Sequence, residues 1–254
     1  MYSYHSILIA TVLFALIVIA NELGMRLGEY YESKSDEDTK SQTTAIQGGI
    51  IGLLALILGF TFNMSIQRYD RRAAAEIAEA NAIGTAQLRT RLLPAPYDTE
   101  ARELLREYID LRLAINDTDL TELEVRRAYD RKTVAMQEEI WNVALKAAET
   151  APNPVTTGYF VSSINDLIDA QGKRNDQLLR HVPSVIFYLL FTIFIATGAL
   201  IGYASGLGKR NSRIPALILS FLISLLVFII VDLDRPRRGV IEVRQDSMDN
   251  LRES

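Results

Sequence analysis

Apolar residues in this chain are gathered into four blocks, with most of the charge held between them. That segregation limits what it can fold into more than any other feature. A bilayer core of about 30 Å is spanned by about 20 mostly apolar residues in a helix. The blocks run from Ile7 to Ala20 (prolonged by Tyr2, Tyr4 and Leu23), Ala45 to Phe62, Val182 to Leu207 and Ile214 to Val231. Pro183 opens the third at a helix start, where a missing N–H costs nothing. As a signal peptide the first block is poor. It has no basic leader, and "IANELG" is a weak cleavage site, so it reads as a retained span. The implied fold is an all-α integral membrane protein with four transmembrane helices.

The stretch "LGFTFNMSIQRYDRR", residues 58–72, carries the second block into three arginines with no proline or turn signal. A single helix of roughly 50 residues is expected here, rising about 70 Å at 1.5 Å per residue. Arg68, Arg71 and Arg72 then either anchor the helix at the interface or act on a path through it. At 100° per residue, one face of this helix carries Gly48, Gly52, Ala55 and Gly59, small residues that let another helix come close. An arc roughly 120° away carries Thr43, Gln47, Ile50, Leu54, Ile57, Thr61, Ser65, Arg68 and Arg72. It is polar at both ends and apolar between, as expected of a pore-lining helix gated by dewetting at a narrow apolar ring. On that reading Ile50, Leu54 and Ile57 form the constriction, and Arg68 and Arg72 favour anions at the inner mouth. The alternative is an ordinary span whose hydroxyls bond back to their own carbonyls.

Basic residues divide the two sides of the membrane. Arg68, Arg71, Arg72, Lys173, Arg174, Arg180, Arg235, Arg237 and Arg238 flank one side; Arg26, Lys34, Lys40, Lys209, Arg210 and Arg213 flank the other. The positive-inside rule puts the first set, both termini and the long segment between spans two and three in the cytoplasm. The expected organisation is 1–66 for spans one and two, 67–181 for a helical cytoplasmic domain, 182–232 for spans three and four, and 233–254 for a tail. Tyr30 to Thr43 reads as a polar external loop.

The cytoplasmic segment reads as four helices: Arg68 to Leu93, about Asp98 to Ile115, about Leu120 to Glu149, and Thr156 onward. "LPAP", "NDTD" and "TAPNP" separate them. In the first, Ala75, Ala78, Ala82 and Ala86 suggest a packing face, and Arg72 with Glu76 a charged one. Gly84 in mid-helix costs about 1 kcal/mol against alanine; a close helix or subunit contact is the simplest account, with a ligand as the alternative.

A formal net charge of −4 argues against a nucleic-acid binder, and with no cysteine there is no disulfide or thiolate chemistry. The two histidines, His5 and His181, fall near interfaces, and no HExxH, P-loop or GxSxG motif occurs. The carboxylates Glu138 and Glu139 lie beside Trp141, which reads as a core or subunit contact. No enzyme, cofactor or metal site is expected.

The strings "LLALILGFTF", "EANAIGTAQLRTRLLP" and "DLDRPRRGVIEVRQDSM" resemble those of a bacterial membrane family described as bestrophin-like, over nearly the whole chain. No functional residue carries over from it. Bestrophins are pentameric channels with four spans, cytoplasmic termini, a helical segment between spans two and three, and a pore lined by span two. Some pass chloride and some bacterial members pass cations. The resemblance implies a homopentamer in the bacterial inner membrane, whose partners are lipid, further copies of itself and permeant small ions. Two bestrophin features are missing: a proline in span two and a dense calcium-binding acidic run after span four. Only Asp232 and Asp234 stand there, as an ion site or as partners of Arg71, Arg72 or Arg235. The expected function is an oligomeric ion channel, anion over cation. The alternative is a non-conducting scaffold or signalling protein that binds partners through its helical domain.

Overall fold

The computed structural model describes residues 6–116, 123–208, 213–235 and 240–253. Tyr2, Tyr4, His5, Asp117 to Asp119, Lys209, Arg210, Arg237 and Arg238 lie outside the described residues. Within them all regular structure is helical: α1 (Ser6–Tyr31), α2 (Glu37–Arg89), α3 (Tyr97–Asn116), α4 (Leu123–Thr150), α5 (Thr157–Leu179), α6 (Ser184–Leu207), α7 (Arg213–Leu233) and α8 (Asp246–Glu253). Four helical stretches are long and apolar enough to cross a membrane: Ser6–Lys34, Glu37–Leu92, Thr157–Leu207 and Arg213–Leu233.

The polar connection expected over Tyr30 to Thr43 is mostly helix. Only a short 3-10 turn, Glu32–Lys34, and two further residues separate α1 from α2. Asp36 accepts the Thr39 N–H at 2.9 Å, and Glu37 and Asp38 fill the first turn of α2, where the helix dipole favours negative charge. The Thr39 hydrogen bonds hold the Asp36 carboxyl below the usual carboxylate range. Polar composition therefore misleads here: a well-capped helix start has the same residues as a loop. At its other end α2 passes through a 3-10 turn, Thr90–Leu92, and Leu93 is extended because Pro94 follows.

The chain divides into two compact units. The first comprises Met1–Tyr69 with His181–Glu242, the second Asp70–Arg180 with Val243–Ser254. The C-terminal segment is thus not one tail: residues up to Glu242 belong with the spans, and α8 belongs with the helical unit.

In the first unit Leu13 and Ile17 of α1, Leu54 and Leu58 of α2, Phe187, Leu190 and Phe194 of α6, and Ile223, Val227 and Ile230 of α7 share one core. Its tightest crossing is α1 against α6. A Cβ at Gly24 would strike the Ala199 carbonyl, one at Gly28 the Tyr203 carbonyl, one at Gly202 the Asn21 carbonyl, and one at Gly206 the Met25 carbonyl. Asn21 adds a hydrogen bond from Nδ2 to the Gly198 carbonyl at 3.2 Å. Lipid tails are as apolar as leucine, so contact density from small residues, rather than oil-water transfer, holds such helices together. The sequence signal is "GALIGYASG", glycine at every fourth position of α6. By contrast, a Cβ added at Gly48, Gly52 or Gly59 would meet nothing within 4 Å in this chain.

In the second unit the core is built from Ala80, Ile83 and Ala86 of α2, Leu105, Tyr108 and Ile109 of α3, Ile140, Val143 and Ala147 of α4, Phe160, Ile164 and Leu167 of α5, and Met248 of α8. The expected alanine face of α2 is only partly right. Ala86 is buried, Ala75 and Ala82 are half-buried, and Ala78 is exposed. The supposed charged face is the inward one, since Arg72, Glu76 and Glu79 are all buried.

Candidate pore helix and its charged flanks

In the first unit the expected pore-lining arc of α2 is turned into the chain's own bundle. Leu54, Thr61 and Ser65 are buried, and Thr43, Gln47, Ile50, Ile57 and Arg68 are half-buried. Thr43 and Thr61 donate to the carbonyls of Thr39 and Ile57, each at 2.8 Å, so their hydroxyls are satisfied within the helix. The small residues Gly48, Gly52, Ala55 and Gly59 all face outward. So does a longitudinal stripe of Gly49, Gly52, Leu56, Phe60, Asn63 and Gln67, three or four residues apart. Leu56 is 56% exposed and Phe60 63%. This stripe is small at one end, apolar in the middle, polar at the other end, and carries no charge.

At the exit of the spans, Asp232 and Asp234 are both buried. The Asp234 carboxylate accepts the Val182 N–H with both oxygens, each at 3.0 Å, just ahead of α6. Arg68 Nε stands 3.9 Å from Asp234 Oδ1, and His181 Nδ1 3.8 Å from Oδ2. Asp232 accepts the N–H groups of Val240 and Ile241 at 2.7 and 2.8 Å. Both carboxylates thus staple backbone, and Asp234 meets Arg68, an arginine expected instead to face a mouth. Among the described residues no group of three or more His, Asp or Glu side chains could hold a metal ion.

In the second unit Arg72 is buried too. It donates to the Gln177 carbonyl at 3.3 Å and to the Arg180 carbonyl at 2.9 Å. A guanidinium there satisfies carbonyls left open at the end of α5 and complements the negative end of its dipole. Two turns further along α2, Glu79 lies between two arginines. Arg112 Nε is 2.7 Å from Oε1, and Arg174 Nη1 is 2.7 Å from Oε2. The Tyr108 hydroxyl lies 3.5 Å from Oε1 and accepts from Gln137 Nε2 at 3.3 Å. Burial, with Glu79 beside it, pushes the Tyr108 phenol up, so it stays a donor at any physiological pH. Gly84 is explained here as well: a Cβ would stand 2.9 Å from Leu251 Cδ2 of α8. Trp141 is half-buried and, with Gln137, Asn142, Asn165 and Ile168, lines an open groove of about 410 Å³.

A four-span, all-helical membrane protein, whose second apolar helix runs far past its apolar stretch, is the class this fold defines. A model of the Bestrophin-like domain matches residues 8–248. The chain belongs to the bestrophin-like family. Its fold is similar to a single-site variant of a bacterial bestrophin homologue from Klebsiella pneumoniae, at 17% identity and a TM-score of 0.73 over 95% of this chain and 96% of that one. A second such variant gives 18% identity and a TM-score of 0.72 over 96% of each chain. A structure described as a membrane protein gives 17% identity and a TM-score of 0.72, again over 96% of each chain. No curated protein matches.

Proposed function

We propose that the protein is a non-catalytic, homo-oligomeric ion channel whose axial path is lined by the outward stripe of α2. The observation that carries this is the stripe itself: an uncharged row with Leu56 and Phe60 at its centre and Asn63 and Gln67 beyond, left uncovered by the protein's own helices. Repeated around an axis, Leu56 and Phe60 would form apolar rings of the kind that gate by dewetting. Gly49 and Gly52 would leave a wider vestibule. The stripe replaces the arc from Thr43 to Arg72, whose middle is filled by the chain's own core. Membership of the bestrophin-like family supports self-assembly, with five copies the expected number.

Residues 70–180 and both termini are assigned to the cytoplasm of a bacterial inner membrane by the basic flanks Arg68, Arg71, Lys173 and Arg180. A preference for anions is not retained in this proposal. It rested on Arg68 and Arg72, and both guanidinium groups are turned to internal partners. The test is current across a planar bilayer containing the purified protein. Leu56→Ala with Phe60→Ala is expected to raise conductance at least severalfold. A protein that assembles yet passes no current, in parent and variant alike, would favour the partner-binding scaffold instead.

A further inference from the structure

The proposed path makes no use of α8, nor of the buried carboxylate of Glu76 that meets it. Glu76 lies 14 positions beyond Phe62, where the apolar stretch of α2 ends, and belongs to the helical unit. It is buried, and its Oε1 has no hydrogen-bond partner. The Ser247 hydroxyl and the Met248 N–H of α8 face it. The other charges that act on it are Arg174 from α5, which is attractive, and Glu79 one turn along α2, which is repulsive. Arg174 is already paired with Glu79 at 2.7 Å, and Arg112 of α3 is held by the same Glu79. The Met248 N–H already donates to the Gln245 carbonyl at 2.9 Å. An ionised Glu76 is therefore under-served: its Oε1 is bare, Arg174 is shared with Glu79 and the Met248 N–H with the Gln245 carbonyl, which leaves the Ser247 hydroxyl as its one uncontested donor among the groups named.

The rest of α8 is a small, separable contact. Met248 is fully buried, Leu251 sits over Gly84, and Arg252 pairs with Asp110 at 3.0 Å on an exposed edge. An eight-residue helix holds no stable structure alone, so it is ordered by docking.

We propose that α8 is a proton-sensitive latch, whose docking on the helical unit tightens when Glu76 takes up a proton. The proton removes the cost of a buried charge and gives the carboxyl an O–H that can donate. With α8 away, Glu76 regains water and behaves as an ordinary glutamic acid. Consistent with this, burial outweighs the Arg174 charge and the Ser247 and Met248 hydrogen bonds, which pull the other way, and holds the carboxyl above the ordinary value of 4.5. The sign follows by linkage: the docked state binds the proton more tightly, so docking is strongest below 4.5 and weakens as pH rises through the raised value. One proton changes the docking equilibrium by at most about tenfold per pH unit. The latch does not depend on whether the protein conducts.

Hydrogen exchange of residues 246–253 in the full-length protein in nanodiscs, corrected for the intrinsic pH dependence of exchange, tests this directly. Protection in the parent is expected to rise as pH falls from 8 to 4. Glu76→Gln, which cannot ionise, should give high protection that is flat with pH. Met248→Asp, which forces a charge into the docking site, should leave the segment unprotected at every pH and so show that the signal reports docking. Parent protection that does not change with pH, or a Glu76→Gln protein that keeps the pH dependence, would overturn the proposal. If Glu76→Gln is not recovered folded, the parent series alone decides.

Discussion

Arg72 and Glu79 illustrate how a charge's environment sets its role. Arg72 ends on the last carbonyls of α5, where a charged hydrogen bond is worth about 1.5–3 kcal/mol. Arg72→Gln is expected to lower the thermal stability of the detergent-solubilised protein by that order while leaving the reversal potential under a salt gradient unchanged. A shifted reversal potential at unchanged stability would return Arg72 to the mouth of a path. Glu79 carries a heavier penalty. Glu79→Gln leaves Arg112 and Arg174, both nearly inaccessible, without their shared counter-charge, a change that costs about 3–5 kcal/mol in buried pairs. Thermal unfolding should show a loss far larger than that from Arg180→Gln, whose partner Asp176 is exposed on the surface.

At the level of whole helices, two sets of glycines that look alike in sequence are expected to behave in opposite ways. Gly202→Leu drives a side chain into the α1 backbone, and overpacking of this kind costs about 1–3 kcal/mol or more. Gly52→Leu meets nothing within the chain, so the folded chain should survive and only assembly or conductance should change. Thermal unfolding and native mass spectrometry of the two variants separate these outcomes; equal destabilisation by both would contradict the assignment.

The four spans were legible because a run of about 20 apolar residues needs no knowledge of its partners. The helical character of residues 70–180 was legible from periodicity and from "LPAP" and "TAPNP". Which side of α2 faces its own bundle was not. Lipid-facing, partner-facing and core-facing surfaces of a span are equally apolar, and two of the polar groups on the arc, the hydroxyls of Thr43 and Thr61, are bonded to their own helix. Nor was the inward set of Arg72, Glu76 and Glu79 legible, because its partners are remote: Arg112 is 33 positions from Glu79, and Arg174 is 95. The start of α2 at Glu37 was hidden by composition, although Asp36 with two acids behind it carried a capping signal.

For the whole molecule, the proposed path lets water and ions meet the outward stripe of α2 and not the arc buried in the bundle. The absence of native cysteine makes this measurable with single introduced thiols against a blank background. Leu56→Cys and Phe60→Cys on the stripe, and Leu54→Cys and Thr61→Cys on the arc, should each be reconstituted in planar bilayers and exposed to a charged, water-soluble thiol reagent during recording. Current through the Leu56→Cys and Phe60→Cys proteins is expected to change within seconds of addition, while the Leu54→Cys and Thr61→Cys proteins remain unaffected. Modification of the two arc positions with the stripe untouched would contradict the assignment of the path.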